Sequence, residues 1–253
     1  MMYNLSKENL IIKRPNKEVY KSGDSIVKLH EVSHAKSDVF NEAVNNARAE
    51  ETGLPVPAVK EVVEIDGKWA LVMEYVEGTT LEELMDKNPD KLEYYMEQFV
   101  DLQLEVHSHK STLVNKLKDK LTRQINSLKI IDATTRYELL ARLEGMPKHT
   151  KLCHGDFNPS NVVVGKDGKL NIIDWAHVTQ GNASADAAMT YLLFALKSQE
   201  KADLYMNMYC KKSDTARQYV QKWLPIVAAS QLTKDNELEK EFLMRWVDVM
   251  DFE

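Results

Sequence analysis

Cysteine is nearly absent: the 253 residues hold two, Cys153 and Cys210. That is too few for a disulfide framework and predicts reduced thiols in a cytosolic protein. Glycine and proline are scarce too, at nine and seven. This is about half of average usage and favours a helix-rich chain with few tight turns. A positive surplus is missing, because the net charge is −6. With no Lys/Arg stripe to offset it, a nucleic-acid partner is argued against. No apolar run approaches the ~20 residues that span a bilayer. Met1-Met2-Tyr3-Asn4-Leu5-Ser6-Lys7-Glu8-Asn9 has no hydrophobic signal core, so no membrane association and a cytoplasmic location are expected. Internal repeats, low-complexity tracts and long linkers are also lacking.

What is there is ordinary globular material, 43% hydrophobic and 28% charged, in a length that suits one large domain or two lobes. Residues 10–78 read as strand-rich. Leu10-Ile11-Ile12, Glu18-Val19-Tyr20-Lys21 and Ser25-Ile26-Val27-Lys28-Leu29 form a predicted three-strand meander, with Ser22-Gly23-Asp24 as one of its turns. A helix is predicted over 37–51 with Phe40, Ala43, Val44 and Ala47 on its apolar face. Ser37 or Asp38 would cap it, and Thr52-Gly53-Leu54-Pro55 would stop it. Val59 to Ile65 and Trp69 to Tyr75 pair across Asp66-Gly67.

After Gly78-Thr79-Thr80 the periodicity turns helical, opened by a T-x-x-E box from Thr80 to Glu83. A helix is expected from about 91 to 109. Leu113, Leu117, Leu121, Ile125 and Leu128 mark a second, partnered by one carrying Leu139, Leu140 and Leu143. The hairpin 161–174, turning at Gly165-Lys166-Asp167-Gly168, is the one convincing strand pair of this half; 184–210 and 215–250 read as helices.

The chemistry concentrates in Cys153-His154-Gly155-Asp156-Phe157-Asn158-Pro159-Ser160-Asn161, an H-x-D-x-x-x-x-N loop that runs into an apolar strand. The strand after the next turn ends Ile172-Ile173-Asp174-Trp175. This is the layout of a phosphoryl-transfer site. Asp156 is the candidate to accept or orient the proton of an attacking hydroxyl, since such transfer rests on positioning and charge stabilisation. Asn161 and Asp174 offer the oxygens a hard cation prefers, and Mg²⁺ is the metal they imply. Asp and Asn are also common turn residues. Asp174, in register behind them, lifts the functional reading above that one. No C-x-x-C spacing indicates zinc.

Several further segments complete the picture: Val27-Lys28, Asn41-Glu42 followed by Gly53-Leu54-Pro55-Val56-Pro57, Leu71-Val72-Met73-Glu74-Tyr75-Val76-Glu77-Gly78, and Asp186. With the loop and Ile173-Asp174-Trp175 they follow one order over nearly the whole chain. In this the sequence resembles the aminoglycoside phosphotransferase and choline kinase superfamily, small-molecule relatives of the protein kinases. The resemblance implies an α+β, bilobal protein-kinase-like fold. Residues 1–77 would form a small antiparallel-sheet nucleotide-binding lobe with one helix. Residues 78–253 would form a larger, mainly helical lobe for catalysis and substrate binding.

It further implies that Lys28 binds nucleotide phosphates and that Glu42 pairs with it, chosen over Glu31, Glu50 and Glu51 by its register to Gly53. The adenine edge would be read by the backbone of Glu74 and Val76, with Met73 against the base. His154 would order the loop and Asp186 would brace it. The donor would be ATP or GTP. Two departures stand out. Arg14-Pro15-Asn16-Lys17-Glu18, where a phosphate-covering loop belongs, contains no glycine, which leaves Lys17 or Asn16 to contact phosphate. Trp175 stands where protein kinases have Phe-Gly, as in similar small-molecule kinases.

Only 12 positions separate Asp174 from Asp186, too few for a peptide-binding activation segment, so a small-molecule hydroxyl is the expected acceptor. The terminal acids Asp235, Glu237, Glu239, Glu241, Asp248, Asp251 and Glu253 would either attract a cationic acceptor or form a solvated helix face. Trp223, Trp246 and Tyr191 fit both an acceptor wall and plain packing. An atypical protein kinase and a nucleotide-binding pseudokinase are the alternatives, and the intact set Lys28, Asp156, Asn161 and Asp174 speaks against the second. The sequence leaves the oligomeric state open.

Overall fold

A computed structural model describes residues 3–110 and 115–247. In chain order the elements are β1 (Leu10–Arg14), β2 (Lys17–Ser22), β3 (Ser25–His30), α1 (Lys36–Glu50), β4 (Val59–Ile65), β5 (Lys68–Glu74), β6 (Gly78–Thr80), α2 (Leu81–Lys87) and α3 (Leu92–Ser108). After them come α4 (Leu117–Ser127), α5 (Ala133–Gly145), β7 (Lys151–Cys153), β8 (Val162–Gly165), β9 (Leu170–Ile172) and β10 (Thr179–Gly181). The chain closes with α6 (Ala183–Ala195), α7 (Gln199–Ser213), α8 (Arg217–Gln221), α9 (Leu224–Leu232) and α10 (Glu237–Val247). No helix among the described residues is long and apolar enough to cross a membrane.

This α+β chain packs into two compact units, Met1–Leu84 with Ser160–His177, and Met85–Pro159 with Val178–Glu253. They differ from the contiguous 1–77 and 78–253 expected from sequence. The β8–β9 hairpin groups with the first unit because β6 pairs with β8.

In the first unit an antiparallel sheet runs in the order β1-β2-β3-β5-β4. Asp66 and Gly67 link β4 to β5 with φ of 49° and 75°. Two left-handed residues make the turn whose twist suits adjacent strands, which is why Asp-Gly marks it in sequence. Strand alternation sends Val27 and Leu29 to one face, where they pack with Tyr20, Ala70 and Val72. Lys28 therefore faces the other side, opposite Leu71, where Val39 and Ala43 of α1 close a second apolar cluster with Leu71 and Met73.

The predicted face of α1 is corrected. Phe40 and Val44 are exposed, and the buried positions are Val39, Glu42, Ala43, Asn45, Asn46 and Ala49. Half of that buried face is polar, so a hydrophobic stripe drawn through Phe40 and Val44 is rotated away from it. Neither Ser37 nor Asp38 caps the helix; Ala35 stands at that position without a side-chain cap bond. The Thr80 cap holds, its hydroxyl accepting the Glu83 N–H at 3.2 Å.

The second unit is mainly helical around α6, which is buried on nearly all sides. It also contains a strand pair that the sequence reading missed, β7 against β10, each three residues long. The span 184–210 breaks at Leu196 to Ser198, and 215–250 divides into α8, α9 and the start of α10. Leu121, Ile125 and Leu128 are buried as expected, and so are Leu139 and Leu143. Leu113 lies outside the described residues.

Candidate functional site

In the first unit α1 and the end of the β8–β9 hairpin converge on one cation. Lys28 Nζ lies 2.6 Å from Glu42 Oε1 and 3.1 Å from Asp174 Oδ1. Burial pulls the Lys28 ammonium towards neutrality, but the charges of Asp174 and Glu42 override it and hold the pKa above the usual lysine value. The polar face of α1 serves this arrangement. Asn45 Nδ2 donates to the Ala176 carbonyl at 3.4 Å, tying α1 to the short 3-10 turn Trp175–His177 that follows Asp174. Trp175 is buried and its indole N–H donates to the Ile172 carbonyl at 3.0 Å, fixing the corner from below.

Asp174 itself has φ of 65°, a left-handed conformation that ordinary residues adopt at a cost of about 1–3 kcal/mol. The surroundings hold it there: the Ile173 N–H donates to the Asn161 carbonyl at 2.9 Å, so the backbones of the two predicted metal ligands run side by side. An amide oxygen and a carboxylate are hard donors. Two such protein oxygens suit a cation that keeps waters and takes phosphate oxygens as its remaining ligands. Among the described residues no group of three His, Cys, Asp or Glu side chains is placed to hold a metal.

Other predicted residues of this unit lie along β5 and the segment after it. Met73 sits in the apolar cluster beneath α1, where it packs against the sheet. Tyr75 N–H donates to the Asp24 carbonyl at 3.0 Å, and Val76 N–H makes no backbone hydrogen bond among the described residues. Pro15 and Asn16 form a two-residue turn from Arg14 to Lys17, short and exposed in place of a long covering loop.

In the second unit the loop from His154 is held by two polar rungs, each built from α3, α6 and α7. In the first, Asp186 accepts the N–H of His154 at 3.1 Å and of Gly155 at 2.7 Å. Its Oδ2 is 3.0 Å from His107 Nε2, and the Tyr209 hydroxyl is 3.2 Å from His107 Nδ1. With Tyr209 donating to Nδ1, Nε2 carries the proton given to Asp186. Burial works to raise the Asp186 carboxyl. The hydrogen bond and charge of His107, with His154 and the Gly155 amide, prevail and hold it below the usual carboxylate range.

In the second rung Thr190 donates to the Phe157 carbonyl at 2.8 Å, Gln103 Nε2 donates to Thr190 at 2.9 Å, and Tyr205 donates to Gln103 Oε1 at 2.6 Å. Gly155 carries φ of 80°, which only glycine adopts freely, and it lets two successive amides turn onto one carboxylate. Asp156 N–H then donates to His154 Nδ1 at 3.2 Å. The Asp156 carboxylate, one-fifth exposed, lies 3.3 Å from Lys234 Nζ.

The structure thus brings Lys28, Glu42, Asn161 and Asp174 together in one unit, and His154, Asp156 and Asp186 together in the other. Between Pro159 and Ser160 the loop passes from the second unit to the first. Gln103, His107, Thr190, Tyr205 and Tyr209 were missed by sequence reasoning. Their signal is polar residues paired four apart inside buried helix faces, which a search for apolar stripes passes over. Of the proposed acceptor walls, Tyr191 and Trp223 are buried, and the Tyr191 ring meets Trp246 edge-on at 6.0 Å, which is packing. The described acids of α10 serve the helix surface: Glu237 pairs with Lys240, Glu241 with Arg245, and Glu239 accepts from Gln231 and Asn236. Asp248, Asp251 and Glu253 lie outside the described residues.

The antiparallel sheet and the mainly helical second unit define the class as phosphotransferases of the protein-kinase-like fold. The chain belongs to the phosphotransferase enzyme family, whose model matches residues 16–220. Among solved structures it is similar to a thermostable mutant of the aminoglycoside phosphotransferase APH(4)-Ia in ternary complex with ADP and hygromycin B. The two share 14% identity over 94% of this chain and 89% of that one, with a TM-score of 0.68. It is also similar to choline kinase LicA from Streptococcus pneumoniae (16% identity, 94% and 90% covered, TM-score 0.64). A choline/ethanolamine kinase family protein from Mesorhizobium loti is a third (16% identity, 96% and 89% covered, TM-score 0.63). No curated protein matches the sequence.

Proposed function

We propose that this phosphotransferase moves the γ-phosphate of ATP, or of GTP, to a hydroxyl of a small molecule in a magnesium-dependent reaction. The observation that carries the reading is Lys28 bound at once to Glu42 and Asp174. A lysine anchored by two carboxylates is a fixed positive point for nucleotide phosphates, held at little conformational cost when they arrive. The unbonded Val76 amide suits recognition of a base edge by the backbone. Asn161 and Asp174 would hold the magnesium ion, which when bound offsets the negative charge of the phosphates.

Asp156 is the group we assign to the acceptor hydroxyl. It orients the O–H and takes its proton as the oxygen–phosphorus bond forms, while the bond from the γ-phosphorus to the leaving nucleoside diphosphate breaks. His154 and Asp186 set the direction of the Asp156 backbone and touch no substrate. A small acceptor fits the short reach from Asp174 to Asp186. Sugars, amino alcohols and aminoglycoside-like molecules are the classes to test.

The experiment is transfer of labelled γ-phosphate to a panel of such acceptors, by wild type and by Asp156→Ala. Wild type should phosphorylate at least one of them, and the variant should lose on the order of 10³-fold in kcat with nucleotide affinity kept. Equal rates for the two proteins on every acceptor would sink the kinase reading. Nucleotide binding without transfer would instead leave a regulatory module.

A further inference from the structure

The surroundings of Asp156 in its own unit are basic, in a chain whose net charge is −6. Lys234 follows α9 and reaches Asp156 at 3.3 Å. Its position is fixed from α4: Gln124 donates to the Thr233 hydroxyl at 3.2 Å and accepts from Ser230 at 2.8 Å. Lys120 lies one helical turn before Gln124, on the same face of α4 that this clasp turns towards the end of α9. Burial first, and then Lys234, lowers the Lys120 pKa to about 8; Asp186 and Asp156 act against that, and Arg123 adds to it. Of these two acids, Asp186 already serves His107 and the loop amides. Two cations, Lys120 and Lys234, therefore act on the space around the Asp156 carboxylate, Lys234 in direct contact with it.

A polycationic acceptor entering there would meet like charge at each of them, which opposes its binding. An acceptor bearing an anion would meet matching charge. It would also compete with Asp156 for Lys234. We infer that the acceptor is a small hydroxylated molecule carrying a carboxylate or phosphate, and that Lys120 and Lys234 bind that anion. The inference rests on the assignment of Asp156 to the acceptor hydroxyl. The acids of α10 do not oppose it, because those described are engaged along their own helix and its neighbours.

The test uses paired probes that differ in charge: glycerol 3-phosphate against glycerol, gluconate against glucose, with choline and kanamycin as cationic arms. Binding is followed by calorimetry without nucleotide, and transfer with magnesium and ATP, for wild type, Lys120→Met and Lys234→Met. The anionic member of a pair should bind, and where transfer occurs be phosphorylated, about 10- to 100-fold better than its neutral partner, the range of a charge-assisted hydrogen bond. Either lysine variant should abolish most of that preference, raising KM for the anionic acceptor while KM for ATP moves less than about twofold, well below one tenfold step.

Preference for a neutral or cationic acceptor would overturn the inference. So would lysine variants that raise the nucleotide KM and keep the acceptor preference, since the lysines would then be serving the transferred phosphate. Should no probe be phosphorylated, the calorimetry decides: anion binding lost in both variants supports the inference, and wild type binding the anions no better than the variants overturns it. The kinase reading fails by a different sign, wild type and Asp156→Ala transferring phosphate equally to every acceptor.

Discussion

Lys120 is a charge the fold carries against its own stability. Its pKa is lowered to about 8, burial being the largest cause. A base whose pKa falls on folding binds its proton more weakly in the folded state, so stability rises with pH between about 8 and the ordinary lysine value near 10.4, and is flat below 8. Lys120→Met should therefore stabilise the protein by about 1–2 kcal/mol at pH 7, a discounted figure because the side chain is partly exposed. Urea denaturation at pH 7 and pH 10 checks this, and the gain should shrink at the higher pH. A variant less stable than wild type at pH 7 would count against it. Lys28 presents the opposite case. Removing it in Lys28→Met leaves Glu42 and Asp174 facing each other, partly buried and without their shared cation, at a cost of about 3–5 kcal/mol. The double variant with Glu42→Gln should recover a large part of that loss in the same denaturation assay.

At the scale of elements, the two rungs joining α3, α6 and α7 make the loop a property of three helices. Asp186→Asn keeps an acceptor for the loop amides and removes the charge facing His107. It should lower kcat on the order of 10²-fold through misplacement of Asp156, with the nucleotide KM unchanged. The pH dependence has a definite sign. The Asp186 carboxyl is held below its ordinary value, so its contribution is present above about pH 4 and is lost as pH falls through the folded-state value. Acid unfolding curves of wild type should steepen there and those of Asp186→Asn should not. The elements also mark where the sequence was readable. Hairpins were legible because Asp66-Gly67 and Gly165 to Gly168 demand a particular backbone, and the H-G-D loop because its residue types follow from its chemistry. The face of α1 was not legible: Glu42 and Asn45 are buried through partners outside the helix, Asn46 bonds back to the Glu42 carbonyl, and periodicity registers only the apolar side chains. The β7–β10 pair was hidden for a related reason, since three-residue strands carry too little alternation to stand out and are formed by pairing across more than 20 intervening residues.

For the molecule as a whole, the thiols offer a simple readout. Both cysteines are free, and burial pushes the buried Cys153 thiol well above its usual pKa. A thiol reagent near neutral pH should leave Cys153 unmodified in the native protein and titrate two groups after denaturation. Labelling of Cys153 should thus follow unfolding of the unit that contains it, as mass spectrometry of the modified peptide would report. A last consequence comes from the rungs. Asp186 and Thr190, His107 and Gln103, and Tyr209 and Tyr205 are all spaced four apart, so the three helices are keyed to one another like wards in a lock. Sliding any of them by one residue unseats both rungs together, and a half-formed loop has nothing to rest on. Mild urea would then reduce the number of working molecules, while each survivor keeps its full rate.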